Sequence, residues 1–292
     1  ELTQMRAGEH KVARDYVLYR EERRQTREKT NPAATIANIT VTLNDGSSEP
    51  LNSQWLKDIV TEACEGLNDV KPSAILEAAE QNLFDGVKQK DIYKALILSA
   101  RTRVEQEPNY SYVTARLLLH DIYQSTLNKL HLEYDWTKME ALYPAAFKTY
   151  IETGIQHHLL SEQLNDFDLE LLASKIKPQR DKDFGYLGLQ TLYDRYFIHH
   201  QEQRIELPQA FFMRVAMGLA HCEGDLKNQY AIEFYELLSK FDYMSSTPTL
   251  FNSGTPRSQL SSCYLTMVPD DLDGIYGAIK DNALLSKFAG GL

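Results

Sequence analysis

Hydrophobic and polar positions follow a helical period over most of the chain. Within residues 1–30, Val12, Tyr16 and Tyr19 recur at i, i+4 and i+7, which places them on one face of a helix. Pro32 ends this helix, because the residue before a proline is driven out of the helical region. One helix alone buries little apolar surface, so this stretch is interpreted as the last helix of a domain that starts upstream.

A second unit with its own strand and helix pattern comes next. Residues 39–43 alternate apolar and threonine side chains, as a half-buried strand does, and Gly46 supplies the turn of a β-hairpin. Four stretches with helical apolar spacing follow, the first capped by Ser53 and the second by Ser73. A hairpin with four helices makes a compact domain, which we place at residues 37–130.

The remainder is mostly helical, and its character changes near its end. The periodicity predicts five helices, at 139–153, 166–175, 187–198, 208–221 and 227–240. Residues 245–257 are rich in Ser, Thr, Pro and Gly, as turns are. A strand is predicted at 259–268 and a helix from Asp273 to Lys287. We therefore divide this part into a helical region, 131–243, and a segment of strand and helix, 244–292.

The composition excludes several classes of protein. With 292 residues, 43% of them hydrophobic and 25% charged, the chain is an ordinary globular protein of about two domains. A net charge of −10 without a basic stripe disfavours binding to nucleic acid, although a local site can still bind phosphate through backbone N–H groups. No apolar run approaches the ~20 residues of a membrane span, and no signal peptide is present. The chain opens with Glu1 rather than Met, so we expect a fragment or a processed chain.

Cysteine and histidine are the candidates for chemistry. The 3 cysteines are too few for a disulfide framework or a zinc site, which favours a reducing cytoplasm. Cys263 follows two serines and could be a reactive thiol or simply a small buried hydrophobic residue. The pairs His157-His158 and His199-His200 suggest metal ligands. Adjacent side chains on a helix diverge, however, so we interpret both pairs as helix surface and predict no metal site.

Three motifs near the end of the chain are unusually specific. Residues 246–255 have the sequence STPTLFNSGT, residues 259–263 have QLSSC, and residues 287–291 have KFAGG. Together they closely resemble the catalytic (large) subunit of class I ribonucleotide reductases. Residues 183–193, DFGYLGLQTLY, are similar to the helical N-terminal region of that family, and residues 39–128 are similar to its ATP-cone domain.

The resemblance implies a mainly α fold with little β structure. It implies an ATP cone built from a β-hairpin and four helices, then a helical region, then the first strand and helix of a ten-stranded α/β barrel. Residues 1–24 resemble the last helix of another, upstream cone. In this family such a chain would be one part of the large subunit.

The resemblance also implies an activity. The family reduces ribonucleoside diphosphates to deoxyribonucleotides by thiyl-radical chemistry, under control by ATP, dATP and other deoxynucleotides. A metal-containing small subunit supplies the radical, thioredoxin or glutaredoxin supplies electrons, and the large subunit forms a homodimer or a higher oligomer. This chain itself is expected to hold no cofactor and to be inactive alone. A non-catalytic regulatory or assembly module of a reductase is the alternative.

Single residues take their expected roles from the same motifs. Cys263 matches one thiol of the redox-active pair, whose partner we expect beyond residue 292. Thr247 and Ser262 match positions that hold the phosphate and ribose of the substrate, and Gly291 matches a backbone contact to it. Together with Cys263, these three residues form the expected substrate-binding set.

A second set of positions matches the effector site that controls substrate choice. These residues are Asp270, Asp271, Leu272, Ile275 and Lys287. A carboxylate there would accept a hydrogen bond from the ribose hydroxyl of the effector.

The cone departs from the pattern of nucleotide-binding cones. Such cones carry Lys-Arg before the hairpin turn, where this chain has Leu43 and Asn44. A further Lys is replaced by Trp55, and a His and a Lys of the last helix are replaced by Asp121 and Gln124. Because charge-assisted contacts hold the phosphates, we expect this cone to be degenerate and activity control to lie in the upstream cone.

Overall fold

The computed structural model describes residues 39–42 and 46–287. The helix predicted within residues 1–30 lies outside the described residues, as do Leu43, Asn44 and Gly291. In the described part the fold is mainly helical with a few short strands, as predicted. None of the described helices is both long and apolar enough to cross a membrane.

The first unit combines a small sheet with four helices. Its elements are β1 (Thr40–Thr42), β2 (Ser48–Pro50), α1 (Ser53–Cys64), α2 (Pro72–Glu80), β3 (Val87–Lys88), α3 (Gln89–Arg101) and α4 (Tyr110–Lys129). β1 pairs antiparallel with β2, which confirms the predicted hairpin, and parallel with β3, which the sequence did not predict. Apolar residues of all four helices pack beneath this sheet.

Both predicted helix caps in this unit are wrong, the first by one residue and the second by two. Asn52 caps α1 instead of Ser53, and its Oδ1 accepts a hydrogen bond from the N–H of Trp55 at 3.0 Å. α2 begins at Pro72 without a side-chain cap, instead of after Ser73. A proline suits the first helical position because its missing N–H would have had no partner there.

The second unit is a bundle of helices around one buried helix. Its elements are α5 (Met139–Gln156), α6 (Leu169–Lys175), α7 (Tyr186–Arg195), β4 (His199–His200), β5 (Gln203–Arg204), α8 (Pro208–Ala220) and α9 (Lys227–Ser239). The five predicted helices are confirmed, with ends that shift by a few residues. Every residue of α8 from Pro208 to Met217 is buried, and α8 packs against α9. Helix α4 of the first unit packs on α7 and so joins the two units.

The last segment has little core of its own. It contains α10 (Thr247–Asn252), where the sequence predicts turns, and α11 (Leu272–Lys287), close to the prediction. The predicted strand at 259–268 is wrong: only Cys263 makes an isolated strand-like bridge, and the side chains of Leu265 and Met267 are 103% and 89% exposed. A strand needs a neighbour to pair with, and no ladder forms beside this segment within the described residues.

Candidate functional site

A buried arginine attaches the hydroxyl-rich segment to the helical region. Arg214 of α8 is fully buried, and its Nε donates to Oε1 of Glu206 at 2.7 Å. Its other nitrogens donate to the carbonyl oxygens of Ser253 at 2.6 Å and Leu250 at 3.2 Å. One guanidinium therefore neutralises a buried carboxylate and also fixes the end of α10.

Two glycines let the same segment lie directly against α8. A Cβ at Gly218 would lie 2.2 Å from the backbone nitrogen of Gly254, so only glycine fits there. Gly254 has φ of +76°, a conformation that glycine adopts at little cost. The hydroxyl of Ser253 donates to the carbonyl oxygen of Val215 at 2.7 Å, which adds a hydrogen bond to this close contact between α8 and the segment.

Thr247 lies exposed in the first turn of α10. Its Oγ1 is 3.1 Å from the hydroxyl of Tyr196, and either oxygen can be the donor. The Tyr196 ring stacks on Phe251 of α10 with a centroid distance of 4.5 Å. Tyr196 thereby supports the threonine hydroxyl from the side of the helical region.

Helix α10 also holds the chain that leads to Cys263. The hydroxyl of Thr249 donates to the carbonyl oxygen of Leu260 at 3.1 Å, and the amide of Asn252 donates to that of Gln259 at 2.7 Å. Ser262 and Cys263 follow within a few residues, and both are exposed. The structure thus brings two of the three motifs, with Thr247, Ser262 and Cys263, onto one anchored segment.

The exposure of Cys263 favours a reactive thiol over a buried hydrophobic residue. A small buried hydrophobic residue would be enclosed, whereas the Cys263 thiol is free and open to solvent. Cys64 is the contrasting case, because burial raises the pKa of its thiol to about 11, with Arg116 acting in the opposite direction. An accessible thiol suits redox chemistry and a buried one does not.

The predicted effector residues fall into two places. Asp270, Leu272 and Ile275 lie exposed around the start of α11, and Oδ1 of Asp271 accepts the N–H of Gly274 at 2.8 Å as a helix cap. Lys287 lies at the other end of α11, roughly 24 Å away along the helix axis. The start of the helix therefore groups four of the five residues, and Lys287 stands apart.

The cavity beside the hairpin of the cone has no cation among its described lining residues. It has a volume of about 200 Å³, and its described lining includes the carboxylate of Glu49 but no Lys, Arg or His. Trp55 lies beside it and packs edge-to-face on Tyr93 at 5.7 Å. On α4, burial raises the pKa of the half-buried Asp121, which Lys94 partly offsets. Within the described residues, the hairpin cavity is thus lined by an indole and one carboxylate and by no cation, and Asp121 lies outside it.

Sequence reasoning missed a buried carboxylate between the cone and the helical region. Oδ2 of Asp181 accepts hydrogen bonds from the hydroxyls of Tyr123 at 2.6 Å and Tyr143 at 2.7 Å, and Oδ1 accepts one from the Gln209 amide at 2.8 Å. Burial raises the pKa of Asp181 to about 6 in spite of these three bonds. Asp181 stands among charged neighbours in the sequence, a pattern typical of a surface, so no local signal indicates its burial.

A charged contact lies beside this cluster. Glu62 of α1 accepts from Nε2 of His120 at 3.0 Å and from Nζ of Lys182 at 2.6 Å. Burial alone would raise the pKa of Glu62, but His120 and Lys182 bring it down to about 2. Because Lys182 belongs to the second unit, this contact joins the two units a second time.

The two histidine pairs come together, and neither lies on a helix. His157 and His158 form a turn after the end of α5, and His199 and His200 form β4, so the helix-surface interpretation is wrong for both pairs. The rings of His157 and His200 stack with a centroid distance of 3.9 Å. Among the described residues, no three His, Cys, Asp or Glu side chains are placed to hold one metal ion.

Comparison with known proteins matches both units of the chain. Residues 39–125 match the family model of the ATP cone domain, and residues 182–258 match that of the ribonucleotide reductase all-alpha domain. The chain is 43% identical over 295 residues to the ribonucleoside-diphosphate reductase subunit alpha of Chlamydia trachomatis, which covers 99% of this chain and 28% of that relative.

More distant relatives have similar names. The subunit alpha of Helicobacter pylori is 40% identical over 257 residues, which cover 87% of this chain and 31% of that relative. The large chain of Cryptosporidium parvum is 31% identical over 252 residues, which cover 85% of this chain and 30% of that relative. The chain thus spans less than a third of the length of these relatives.

Proposed function

Because the chain belongs to the large-subunit family of ribonucleotide reductases, we propose that it forms part of an enzyme that reduces ribonucleoside diphosphates to deoxyribonucleotides under nucleotide control. The observation that carries this proposal is the exposed thiol of Cys263 on a segment fixed by α10. A regulatory or assembly module without chemistry would need neither the thiol nor the anchored hydroxyls. The location we infer is the reducing cytoplasm.

Cys263 supplies reducing equivalents in this proposal. A thiyl radical elsewhere in the protein starts and ends the reaction, and a small metal-containing subunit generates it. Cys263 and a partner thiol lose two electrons and two protons and form a disulfide, while the 2′-hydroxyl of the substrate leaves as water and a hydrogen takes its place. Thioredoxin or glutaredoxin then reduces the disulfide. Thr247 and Ser262 hold the substrate beside this thiol.

The start of α11 serves as part of an effector site in a homodimer. Asp270 is an exposed acceptor there, and Leu272 beside it is 69% exposed. Further along α11, Tyr276 and Ile279 expose 65% and 56% of their surface, which supports contact with another subunit. The cone is degenerate in this proposal, because its hairpin cavity offers a phosphate no cation among the described residues.

The test is Cys263→Ser in the complete reductase, with Cys222→Ser as the control. Cys222 is also an exposed free cysteine, but it lies far from the segment in sequence. We expect Cys263→Ser to abolish multiple turnover with a dithiol reductant, because serine cannot form the disulfide, while substrate binding changes little. The control should keep its turnover. Steady-state turnover of the Cys263 variant near that of the wild type would refute the assignment and favour the regulatory-module alternative.

A further inference from the structure

A single hydrogen bond links the side chain of Thr247 to the helical region. Its partner is Tyr196, which follows the end of α7 and whose phenolic oxygen lies 3.1 Å from Oγ1 of Thr247. Among the described residues, the Thr247 hydroxyl has no other hydrogen-bond partner, and the residue is exposed. The rest of its hydrogen-bonding capacity is therefore open to a ligand.

The chemistry of the two hydroxyls favours one direction for this bond. Each hydroxyl has one proton to donate and two lone pairs that can accept. A phenol gives up its proton more readily than an aliphatic alcohol does, so the favoured arrangement has Tyr196 as the donor and Oγ1 of Thr247 as the acceptor. The proton of Thr247 then stays available, and a hydroxyl that already accepts a hydrogen bond donates a stronger one.

The ring of Tyr196 is held in place by its surroundings. It stacks on Phe251 with a centroid distance of 4.5 Å and an angle of 27° between the rings. The backbone N–H of Tyr196 donates to the carbonyl oxygen of Leu192 at 2.9 Å. The next residue, Phe197, is buried and packs on Phe211 of α8 at 5.5 Å. These contacts fix the phenol against α10.

One buried carboxylate connects the two sides of this hydrogen bond. Oε2 of Glu206 accepts the N–H of Ile198, just after Tyr196 in the chain, at 2.8 Å. Glu206 also pairs with Arg214, and Arg214 in turn binds carbonyl oxygens at the end of α10. The chain after α7 and the helix that carries Thr247 are therefore fixed relative to each other, so the pair of hydroxyls is preorganised before a ligand binds.

We propose that Tyr196 is a positioning residue for the substrate: its hydroxyl donates to Thr247, so that the hydroxyl of Thr247 is directed at an oxygen of the substrate diphosphate. An O–H donor makes its strongest hydrogen bond to an ionised acceptor, and the diphosphate carries the ionised oxygens of a ribonucleoside diphosphate. Tyr196 itself does not touch the substrate. The inference rests on the proposed function, in which Thr247 holds the substrate, and adds the residue that orients it.

The test measures the binding of a ribonucleoside diphosphate to the complete reductase, with the effector held constant. Tyr196→Phe removes the hydroxyl and keeps the ring that stacks on Phe251. We expect the dissociation constant to rise about three- to tenfold, the effect of one lost hydrogen bond, while kcat at saturating substrate stays within about twofold. Inorganic pyrophosphate, used as a competitor of the substrate, should be weakened by a similar factor.

Tyr186→Phe is the matched control for this variant. It removes a tyrosine hydroxyl from the other end of α7, roughly 15 Å away along the helix axis. It should bind substrate and pyrophosphate as the wild type does. Equal melting temperatures of the two variants would establish that both are folded.

A double-mutant cycle separates positioning from a general structural role. Thr247→Val removes the donor and keeps the shape, so it should weaken binding by about tenfold or more. Adding Tyr196→Phe to Thr247→Val should then change the dissociation constant by less than about twofold, because no hydroxyl remains to be oriented. In Thr247→Ser, which keeps a hydroxyl, Tyr196→Phe should still weaken binding.

Three outcomes would overturn the inference alone. They are normal substrate binding by Tyr196→Phe beside a weakened Thr247→Val, an equal effect of Tyr196→Phe with and without the Thr247 hydroxyl, and unchanged competition by pyrophosphate. Normal binding by Thr247→Val would overturn both the inference and the substrate role of Thr247 in the proposed function. The Cys263→Ser assay tests the redox chemistry separately, so the two failures can be told apart.

Discussion

Two buried carboxylates join the helical region to its neighbours, and their negative charges are compensated in different ways. Glu206, at the junction with the hydroxyl-rich segment, meets the guanidinium of Arg214 at 2.7 Å. Asp181, at the junction with the cone, meets two tyrosine hydroxyls and the amide of Gln209. Both side chains are fully buried, so only the partners differ.

Because the partners differ, the two junctions respond differently to pH. Arg214 pairs with the carboxylate of Glu206, and it also fixes two carbonyl oxygens of the segment. Burial raises the pKa of Asp181 to about 6, because its neutral donors offset this effect only in part. The junction with the segment is therefore fixed by charge, and the junction with the cone is sensitive to pH.

The largest effect is expected from Arg214→Met. It should lower the free energy of unfolding by about 3–5 kcal/mol, because Glu206 would remain as an uncompensated buried charge. Urea denaturation measures this loss. Adding Glu206→Gln should recover a large part of it, since the stranded charge is then gone. A loss below about 1 kcal/mol in the single variant would show that the ion pair does not hold this junction.

A pH effect should come next and should appear at Asp181. Its pKa is raised on folding, so the folded state binds more protons than the unfolded state between about pH 4 and pH 6. The contribution of this group to stability is therefore highest below pH 4 and declines as pH rises through 6, by roughly 3 kcal/mol in all. Asp181→Asn, a neutral isostere, should lack this decline when urea denaturation is followed against pH.

The informative quantity is the free energy of unfolding of the wild type minus that of Asp181→Asn at each pH, because the contributions of the other titrating groups cancel in this difference. Glu62 supplies a comparison of opposite sign. Its pKa is lowered to about 2, so its contribution is present above its unfolded pKa near 4.5 and is lost as pH falls toward 2. If the free energies of unfolding of the wild type and Asp181→Asn differ by the same amount from pH 4 to pH 7, the prediction for Asp181 is refuted.

A smaller effect is expected from Gly218→Ala. The new Cβ would lie 2.2 Å from the nitrogen of Gly254, so the segment must shift at a cost of about 1–3 kcal/mol. Thermal denaturation should show a lower Tm. Gly277→Ala is the matched control, because that Cβ meets nothing within 4 Å and alanine favours the helix by up to ~1 kcal/mol. Equal melting temperatures for both variants would contradict a close contact at Gly218.

The smallest effect is expected from Lys182→Gln at the junction with the cone. Its side chain is 45% exposed, so the pair with Glu62 should contribute less than about 1 kcal/mol to the free energy of unfolding. Lys94→Gln, which breaks an exposed pair with Asp91, should cost close to nothing in the same urea titration. A Lys182 effect above about 2 kcal/mol would mean that this contact, and not Asp181, dominates the junction.

Helices were the part of the fold that local pattern could predict. The prediction of 208–221 compares with Pro208–Ala220 in the structure, and that of Asp273 to Lys287 with Leu272–Lys287. Helical hydrogen bonds join residues four apart, so the necessary information lies within a short window. The strand predicted at 259–268 and the unpredicted strand β3 show the opposite case, because a strand depends on a partner far away in the sequence.

Local motifs were enough to identify the family and to predict Thr247, Ser262 and Cys263 as site residues, since a motif is contained in a short stretch of sequence. The folded chain was needed to show that the Cys263 thiol is exposed, that Arg214 is buried against Glu206, and that His157 contacts His200. Arg214 and Glu206 are 8 residues apart in the sequence, but the bonds of Arg214 to Ser253 and Leu250 span 39 and 36 residues, and the histidine contact likewise joins distant parts of the sequence. Whether a charged side chain reaches water or a partner is decided only when such distant parts come together, because its local sequence is the same in both cases.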